Sequence, residues 1–141
     1  MDKAKYSREW IEQAEYDIDT GQVMLESRRY IYCVFMCHLS IEKALKALYV
    51  RNLEKNPPKV HSLVYLAKSI NINLSRQVKE FIEKLNKVSV PTRYPEELSK
   101  LLREYDQEKT QIIFDKSKKE SSSLTVEFVK VRSSSTSSNK F

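Results

Sequence analysis

The side chains of this sequence best suited to binding or catalysis lie in two short segments and one connector. The chain has two histidines, His38 and His61. Glu42 follows His38 by one helical turn, a spacing at which a carboxylate can hold an imidazole in one tautomer. Arg93 and Tyr94 lie between two prolines, and such a rigid arginine–aromatic pair suits a phosphate with a stacked base. We predict that these five residues line one ligand-binding cleft, and we assign no catalytic residue.

Each of these residues also has a structural interpretation, which the sequence leaves open. His38 can be a buried histidine satisfied by its own helix, and His61 can cap the helix that follows it. Tyr94 can pack into the core, with Arg93 beside it on the surface. Lys43 and Lys46 are weaker candidates for phosphate contacts, since a solvated helix face explains them equally well.

The sequence favours neither a metal centre nor a cofactor. Cys33, Cys37, His38 and His61 are possible metal ligands, but adjacent helical residues such as Cys37 and His38 diverge by about 100°. The same divergence argues against a Cys–His nucleophilic pair. Gly21 is the single glycine, so the glycine-rich loops that hold nucleotide phosphates are excluded.

The element that must position the candidate residues is a helix predicted over about 30–53. Its apolar stripe advances in steps of three and four residues and includes one histidine. Small residues and further apolar side chains occupy its other faces, which is typical of a central helix packed on several sides. The stripe consists of Ile31, Val34, His38, Ile41, Leu45 and Leu48.

Shorter patterns predict the remaining helices. A first helix over about 7–26 has Ser7 as its expected N-cap, while Ser62 and Ser75 are expected to cap two later ones. Pro95 begins another helix, and a long one is expected over about 106–132, where residues 124–131 would also fit an edge strand. The prediction is therefore all-α: an up-and-down bundle of four to five helices with a short accessory helix over 1–132. Residues 133–141 are expected to form a serine-rich disordered tail.

Composition and charge indicate a globular protein with an affinity for anions. Apolar residues make up 40% and charged residues 31% of the chain, and the formal net charge is +6. Residues 1–26 carry three basic and seven acidic side chains, whereas residues 27–61 carry seven basic and two acidic ones. Such a basic balance suits nucleic acid, although a solvated surface also explains it. No apolar run reaches the roughly 18 residues of a membrane span, and we expect a cytoplasmic protein that does not bind membranes.

Four stretches together resemble the HEPN domain family over about residues 8–131. The most specific stretch is Cys-His-x3-Glu-Lys-x-Leu-Lys at 37–46, and the weaker ones are Lys59–Leu63, Arg93–Pro95 and the opening Trp10, Ala14 and Asp17. The resemblance implies a helical bundle that works as a homodimer. It also implies a possible nucleotide or RNA ligand and a minimal nucleotidyltransferase as partner, in a toxin–antitoxin or defence pair.

The resemblance does not extend to the ribonuclease motif of the family, in which a histidine follows an arginine by four to six residues on a late helix. The nearest arginine before His38 is Arg29, and Arg51 is the nearest before His61. We therefore favour a non-enzymatic binding module for a nucleotide, RNA or a nucleotidyltransferase. The alternatives are an atypical metal-independent ribonuclease, with His38 or His61 as base and Arg93 as phosphate cation, and a purely structural dimer that shapes a partner's active site.

Overall fold

The computed structural model describes residues 2–88 and 94–130, and these residues form six α-helices. Three helices have 24 residues, which corresponds to a length of about 36 Å each. The shorter ones lie between the second and third of them along the chain. The helices are α1 (Lys3–Glu26), α2 (Tyr30–Leu53), α3 (Leu63–Ile70), α4 (Arg76–Asn86), α5 (Pro95–Glu104) and α6 (Gln107–Lys130). The predicted all-α bundle is confirmed.

Helix α2 lies at the centre of the bundle. It packs against all five other helices, and its predicted stripe is buried, with Ile31, Val34 and Leu48 at most 1% exposed. Its small residues are buried as well: Ala44 and Ala47 are fully inaccessible, which lets neighbouring helices approach closely. The sequence pattern therefore predicted both the helix and its central position correctly.

Close contacts fix the directions of the two long helices around α2. Met36 of α2 lies against Gly21 of α1, and Ser40 donates a hydrogen bond of 2.7 Å to the carbonyl oxygen of Ala14. Since the sequence numbers run in opposite directions, α1 is antiparallel to α2. Ser40 also lies 3.0 Å from the Ser121 hydroxyl of α6.

Helix α6 runs parallel to α2. Besides the contact of Ser40 with Ser121, the guanidinium of Arg51 lies 4.9 Å from the ring centre of Phe128, so both helices advance together. The short helices α3, α4 and α5 therefore return the chain to the starting end of α2. This return positions the segment before α3 beside the middle of α2, where the candidate site lies.

Side-chain caps explain most of the helix starts. Ser62 and Ser75 accept hydrogen bonds from the backbone amides three residues later, as predicted. The prediction for α1 is wrong, because Asp2 caps a helix that already begins at Lys3. Ser7 is instead buried inside α1, where its hydroxyl donates to a backbone carbonyl.

The last helix settles the choice between helix and strand for residues 124–130. Residues 124–130 continue α6, whose Phe114 and Leu124 are buried against the rest of the bundle. Val131, Arg132 and the predicted tail over 133–141 lie outside the described residues. Within the described part of the chain, no helix is long and apolar enough to cross a membrane.

Candidate functional site

A row of three polar side chains interrupts the apolar surface of α2. His38, Glu42 and Lys46 follow one another at intervals of four residues and share one face of the helix. Each is buried, with 1%, 3% and 6% of its surface exposed. Buried charges need partners, because removing a charge from water costs several kcal/mol or more.

Glu42 binds two cationic or hydrogen-donating groups. Its Oε2 atom lies 3.0 Å from Lys46 Nζ and 3.1 Å from His61 Nδ1. A carboxylate only accepts hydrogen bonds, so His61 Nδ1 carries the hydrogen and Nε2 is left as an acceptor in the neutral ring. We call Glu42, Lys46 and His61 the Glu42 cluster.

The loop after α2 brings His61 to this cluster. Asn56-Pro57-Pro58 cannot continue a helix, so the chain turns back, and Ser62 begins α3 directly after His61. The side chain of His61 is 73% exposed although its Nδ1 atom reaches the buried carboxylate. The imidazole therefore points its second nitrogen away from Glu42 on an accessible surface.

His38 occupies a different environment from His61. Its Nδ1 atom lies 3.6 Å from Glu42 Oε1, which is beyond hydrogen-bond distance, and neither ring nitrogen has a hydrogen-bond partner. Burial lowers the pKa of His38 to about 4, and the neighbouring Glu42 offsets only part of this effect. At neutral pH the ring is uncharged, and a side chain that is 1% exposed does not reach a ligand in this conformation.

The two lysines predicted to contact phosphate are both paired with carboxylates. Lys43 Nζ lies 2.8 Å from Asp17 Oδ2, which ties α2 to α1. Lys46 binds Glu42, and its ammonium also lies 5.4 Å from the ring centre of Trp10. Sequence reasoning placed Trp10 and Asp17 in the family pattern and did not assign these contacts, which depend on how the two helices align.

The connector residues do not extend this cluster in the described structure. Arg93 lies outside the described residues. Tyr94 precedes α5, is 72% exposed and makes no hydrogen bond or ion pair with Glu42, Lys46 or His61. The structure therefore brings His38, Glu42 and His61 together, adds Lys46, and leaves Tyr94 on the surface.

The cysteines form part of the core. Cys33 and Cys37 are both unoxidised and fully inaccessible. A hydrogen bond with Cys37, together with burial, raises the pKa of Cys33 far above its ordinary value. Over residues 2–88 and 94–130, no three histidine, cysteine or acidic side chains are grouped so that they could hold a metal ion.

Comparisons with known proteins agree with this architecture. Two solved structures have the same fold. TT1696 from Thermus thermophilus has a TM-score of 0.71 and 23% sequence identity, and the match covers 84% of this chain and 95% of that one. ST0689, described as an archaeal HEPN homologue, has a TM-score of 0.68 and 17% identity, and the match covers 86% of this chain and 97% of that one. No curated protein matches the sequence. The sequence model of the HEPN domain matches residues 7–131. The chain therefore belongs to the HEPN domain family.

Proposed function

We propose that this HEPN protein is a non-enzymatic binding module that holds a nucleotide or RNA at the exposed imidazole of His61. The observation that carries the proposal is the geometry of the Glu42 cluster. Glu42, which is 3% exposed, fixes Nδ1 of an imidazole that is itself 73% exposed. A polar ring held in one orientation on the surface loses little entropy when a ligand binds to its free nitrogen.

The charge around this corner supports an anionic ligand. Residues 27–61 carry seven basic and two acidic side chains. Glu42 and Lys46 neutralise each other in the interior and Lys43 is paired with Asp17, so the remaining balance of residues 27–61 is four more basic side chains than acidic ones. Lys55 and Lys59 are exposed in the same loop as His61. A surface of this charge attracts phosphates.

The two histidines favour binding over catalysis. Cleavage of RNA needs a base for the ribose 2′-hydroxyl and a cation or donor for the phosphate. His38 is 1% exposed, so of the two histidines in the chain His61 alone is accessible. Lys46, the cation nearest to His61 in the Glu42 cluster, is already bound to Glu42.

One observation favours the alternative, an atypical ribonuclease. A carboxylate that orients an imidazole through Nδ1 and leaves Nε2 free is the arrangement of a general base and its orienting acid. His61 and Glu42 have this arrangement at 3.1 Å. In that alternative His61 is the base, and Arg93 supplies the phosphate cation.

Binding and cleavage can be separated with single-stranded RNA and ATP. We expect fluorescence anisotropy to detect binding of labelled RNA to the full chain. We expect His61→Ala to weaken it by about fivefold, the effect of losing one hydrogen bond that a ribose hydroxyl or a base N–H donates to Nε2. Glu42→Gln is expected to weaken binding less, because an amide still accepts from Nδ1. Tyr65→Ala is the control, since Tyr65 is 52% exposed on the adjacent helix α3.

The same samples distinguish the outcomes. RNA that stays intact on a gel while bound supports the binding module. Cleavage that disappears in His61→Ala establishes the ribonuclease instead. If neither RNA nor ATP binds, or if His61→Ala and Tyr65→Ala behave alike, the imidazole is not a ligand site.

We further propose that the module works as a homodimer with a minimal nucleotidyltransferase as its partner, in a toxin–antitoxin or defence pair. The membership in the HEPN family supports this proposal. Co-expression with the nucleotidyltransferase encoded nearest to this chain tests it. Co-purification in a fixed ratio supports the pairing, and elution of the two proteins in separate fractions contradicts it.

A further inference from the structure

A second concave surface lies between α4, α5 and α6, apart from the Glu42 cluster. It encloses about 520 Å³, and its floor is apolar, with Leu85, Leu101 and Ile113 among the lining side chains. Ile112 at its margin is 51% exposed. Exposed apolar surface of this kind is costly in water and commonly marks an interaction site.

Lysines surround this apolar floor. Lys84 of α4 and Lys87 directly after α4 border it on one side, while Lys109 and Lys116 border it from α6. Lys109 Nζ lies 3.4 Å from a carboxylate oxygen of Glu104. Within the described residues the other three lysines form no ion pair, so the rim carries uncompensated positive charge.

From this combination we propose that the groove docks an acidic amphipathic helix of a partner protein. Apolar side chains on one face of such a helix would fill the floor, and flanking glutamates or aspartates would pair with the rim lysines. A helix that lays its apolar face into a groove is a recurrent mode of peptide recognition. Complementary charge at the rim would fix its register and speed association.

The aromatic side chains of the groove argue against RNA as its occupant. Bases bind single-strand sites by stacking on accessible rings. Here the Lys116 ammonium lies 6.0 Å from the ring centre of Phe81, and the Lys109 ammonium lies 5.1 Å from that of Tyr105. Both rings are half-buried. Their faces are therefore poorly accessible for stacking.

The rest of this chain is a poor match for the groove. Residues 89–93 and 131–141 contain basic but no acidic side chains. The outer face of α1 is acidic and exposes Tyr16 and Val23, but most apolar side chains of α1 are buried or half-buried in its own bundle and cannot fill the floor. A separate helix can bury its whole apolar face instead.

A designed peptide tests the proposal. The probe is a fluorescein-labelled helix of about 18 residues with leucines at positions i, i+3, i+4 and i+7 and glutamates elsewhere, and a peptide with lysines in place of the glutamates serves as its counterpart. We expect the acidic peptide to bind the full chain and the basic one not to bind. The variant Lys84→Glu/Lys116→Glu is expected to weaken binding by about tenfold or more.

Two controls locate the binding surface. Lys118→Glu/Lys119→Glu makes the same charge change on exposed positions of α6 outside the groove, and it is expected to leave the affinity within about twofold. His61→Ala is also expected to leave peptide affinity unchanged, so failure here and failure of the proposed RNA site are independent results.

Three results would overturn the proposal. The first is no binding of the acidic peptide, or equal weakening by the groove and control variants. The second is binding of single-stranded RNA that depends on Lys84 and Lys116 when peptide binding does not. The third concerns the oligomeric mass of the chain itself. If Lys84→Glu/Lys116→Glu and Glu12→Lys on α1 change this mass in the same way, the groove binds a second copy of the chain.

Discussion

At the scale of single residues, Glu42 determines how the candidate site is arranged. The carboxylate is 3% exposed, yet it reaches Lys46 on its own helix and His61 nineteen residues later in sequence. This contact anchors the loop before α3 to the central helix. A structural role and a ligand-binding role are compatible here, because the same hydrogen bond that anchors the loop also fixes the accessible nitrogen of His61.

His38 makes the stability of the fold depend on pH. Its pKa is lowered from 6.5 to about 4 in the folded chain, mainly by burial. Between these values the unfolded chain binds a proton that the folded chain does not, so the free energy of unfolding falls as the pH decreases from 6.5 to 4. A shift of this size corresponds to about 3 kcal/mol. Above pH 6.5 this contribution is fully present.

Urea denaturation at several pH values measures this effect. We expect His38→Gln, which cannot take up a proton, to lose most of the decrease in unfolding free energy between pH 6.5 and 4, whatever its stability at pH 7. His61→Gln is the matched control and should keep the steep decrease, because it leaves the buried His38 in place. Identical pH profiles for the unsubstituted chain and His38→Gln would contradict the assignment.

At the scale of helices, sequence patterns with a local physical cause were read correctly. The spacing of apolar residues by three and four positions in α2 predicts that the helix is buried, as it is. Ser62 and Ser75 cap α3 and α4, as their positions before the apolar patterns predict. The apolar pattern places the start of α1 too late, because the Asp2 carboxylate accepts from the amide of Lys5, and this cap precedes the first apolar residues of the helix. Local patterns thus predict a helix better than they predict its first residue.

The contacts of the candidate site were only partly predictable for a different reason. The spacing of His38 and Glu42 lies within one helix, but the pairing of Lys43 with Asp17 depends on the alignment of α1 against α2. The pairing of His61 with Glu42 depends on the path of a loop. Neither the alignment of two helices nor the path of a loop produces a periodic pattern in a single sequence.

Gly21 of α1 lies in close contact with both α2 and α6. A Cβ atom built there would lie 3.4 Å from Met36 Cβ and 3.5 Å from the Phe114 ring, which are ordinary contacts at the close end of the range. Glycine inside a helix costs about 1 kcal/mol relative to alanine. We therefore expect Gly21→Ala to raise the unfolding free energy by about 0.5–1 kcal/mol, and the melting temperature with it.

The counterpart variant is Gly21→Leu. Its longer side chain would collide with Met36 and Phe114, so we expect a loss of stability of at least about 1–3 kcal/mol, typical of overpacking. Thermal melts of both variants by circular dichroism give the comparison. A loss of stability in Gly21→Ala would mean that this three-helix contact has no room for one methyl group.

At the scale of the whole molecule, charge is distributed unevenly along the bundle. The outer side of α1 is acidic, whereas the loop before α3 and the groove between α4 and α6 are basic. The two proposed binding surfaces therefore share a preference for anions but differ in shape: one presents an exposed imidazole, and the other presents an apolar floor bordered by lysines. RNA and an acidic helix are expected to bind without competing.

The last expectation concerns the oligomeric state. Val126 and Val129 on α6 are 62% and 66% exposed, and paired apolar side chains of this kind are favoured in subunit interfaces. Because members of this family are expected to act as dimers, we expect light scattering to give twice the 16.6 kDa of one chain at micromolar concentration.

Val126→Asp/Val129→Asp should shift the mass towards one chain, since burying two carboxylates in an interface is unfavourable. Val23→Asp, at a 52% exposed site on α1, is the control and should leave the mass unchanged. A mass of 16.6 kDa at every concentration would contradict the dimer, and a dimer that tolerates the double substitution would place its interface on another face.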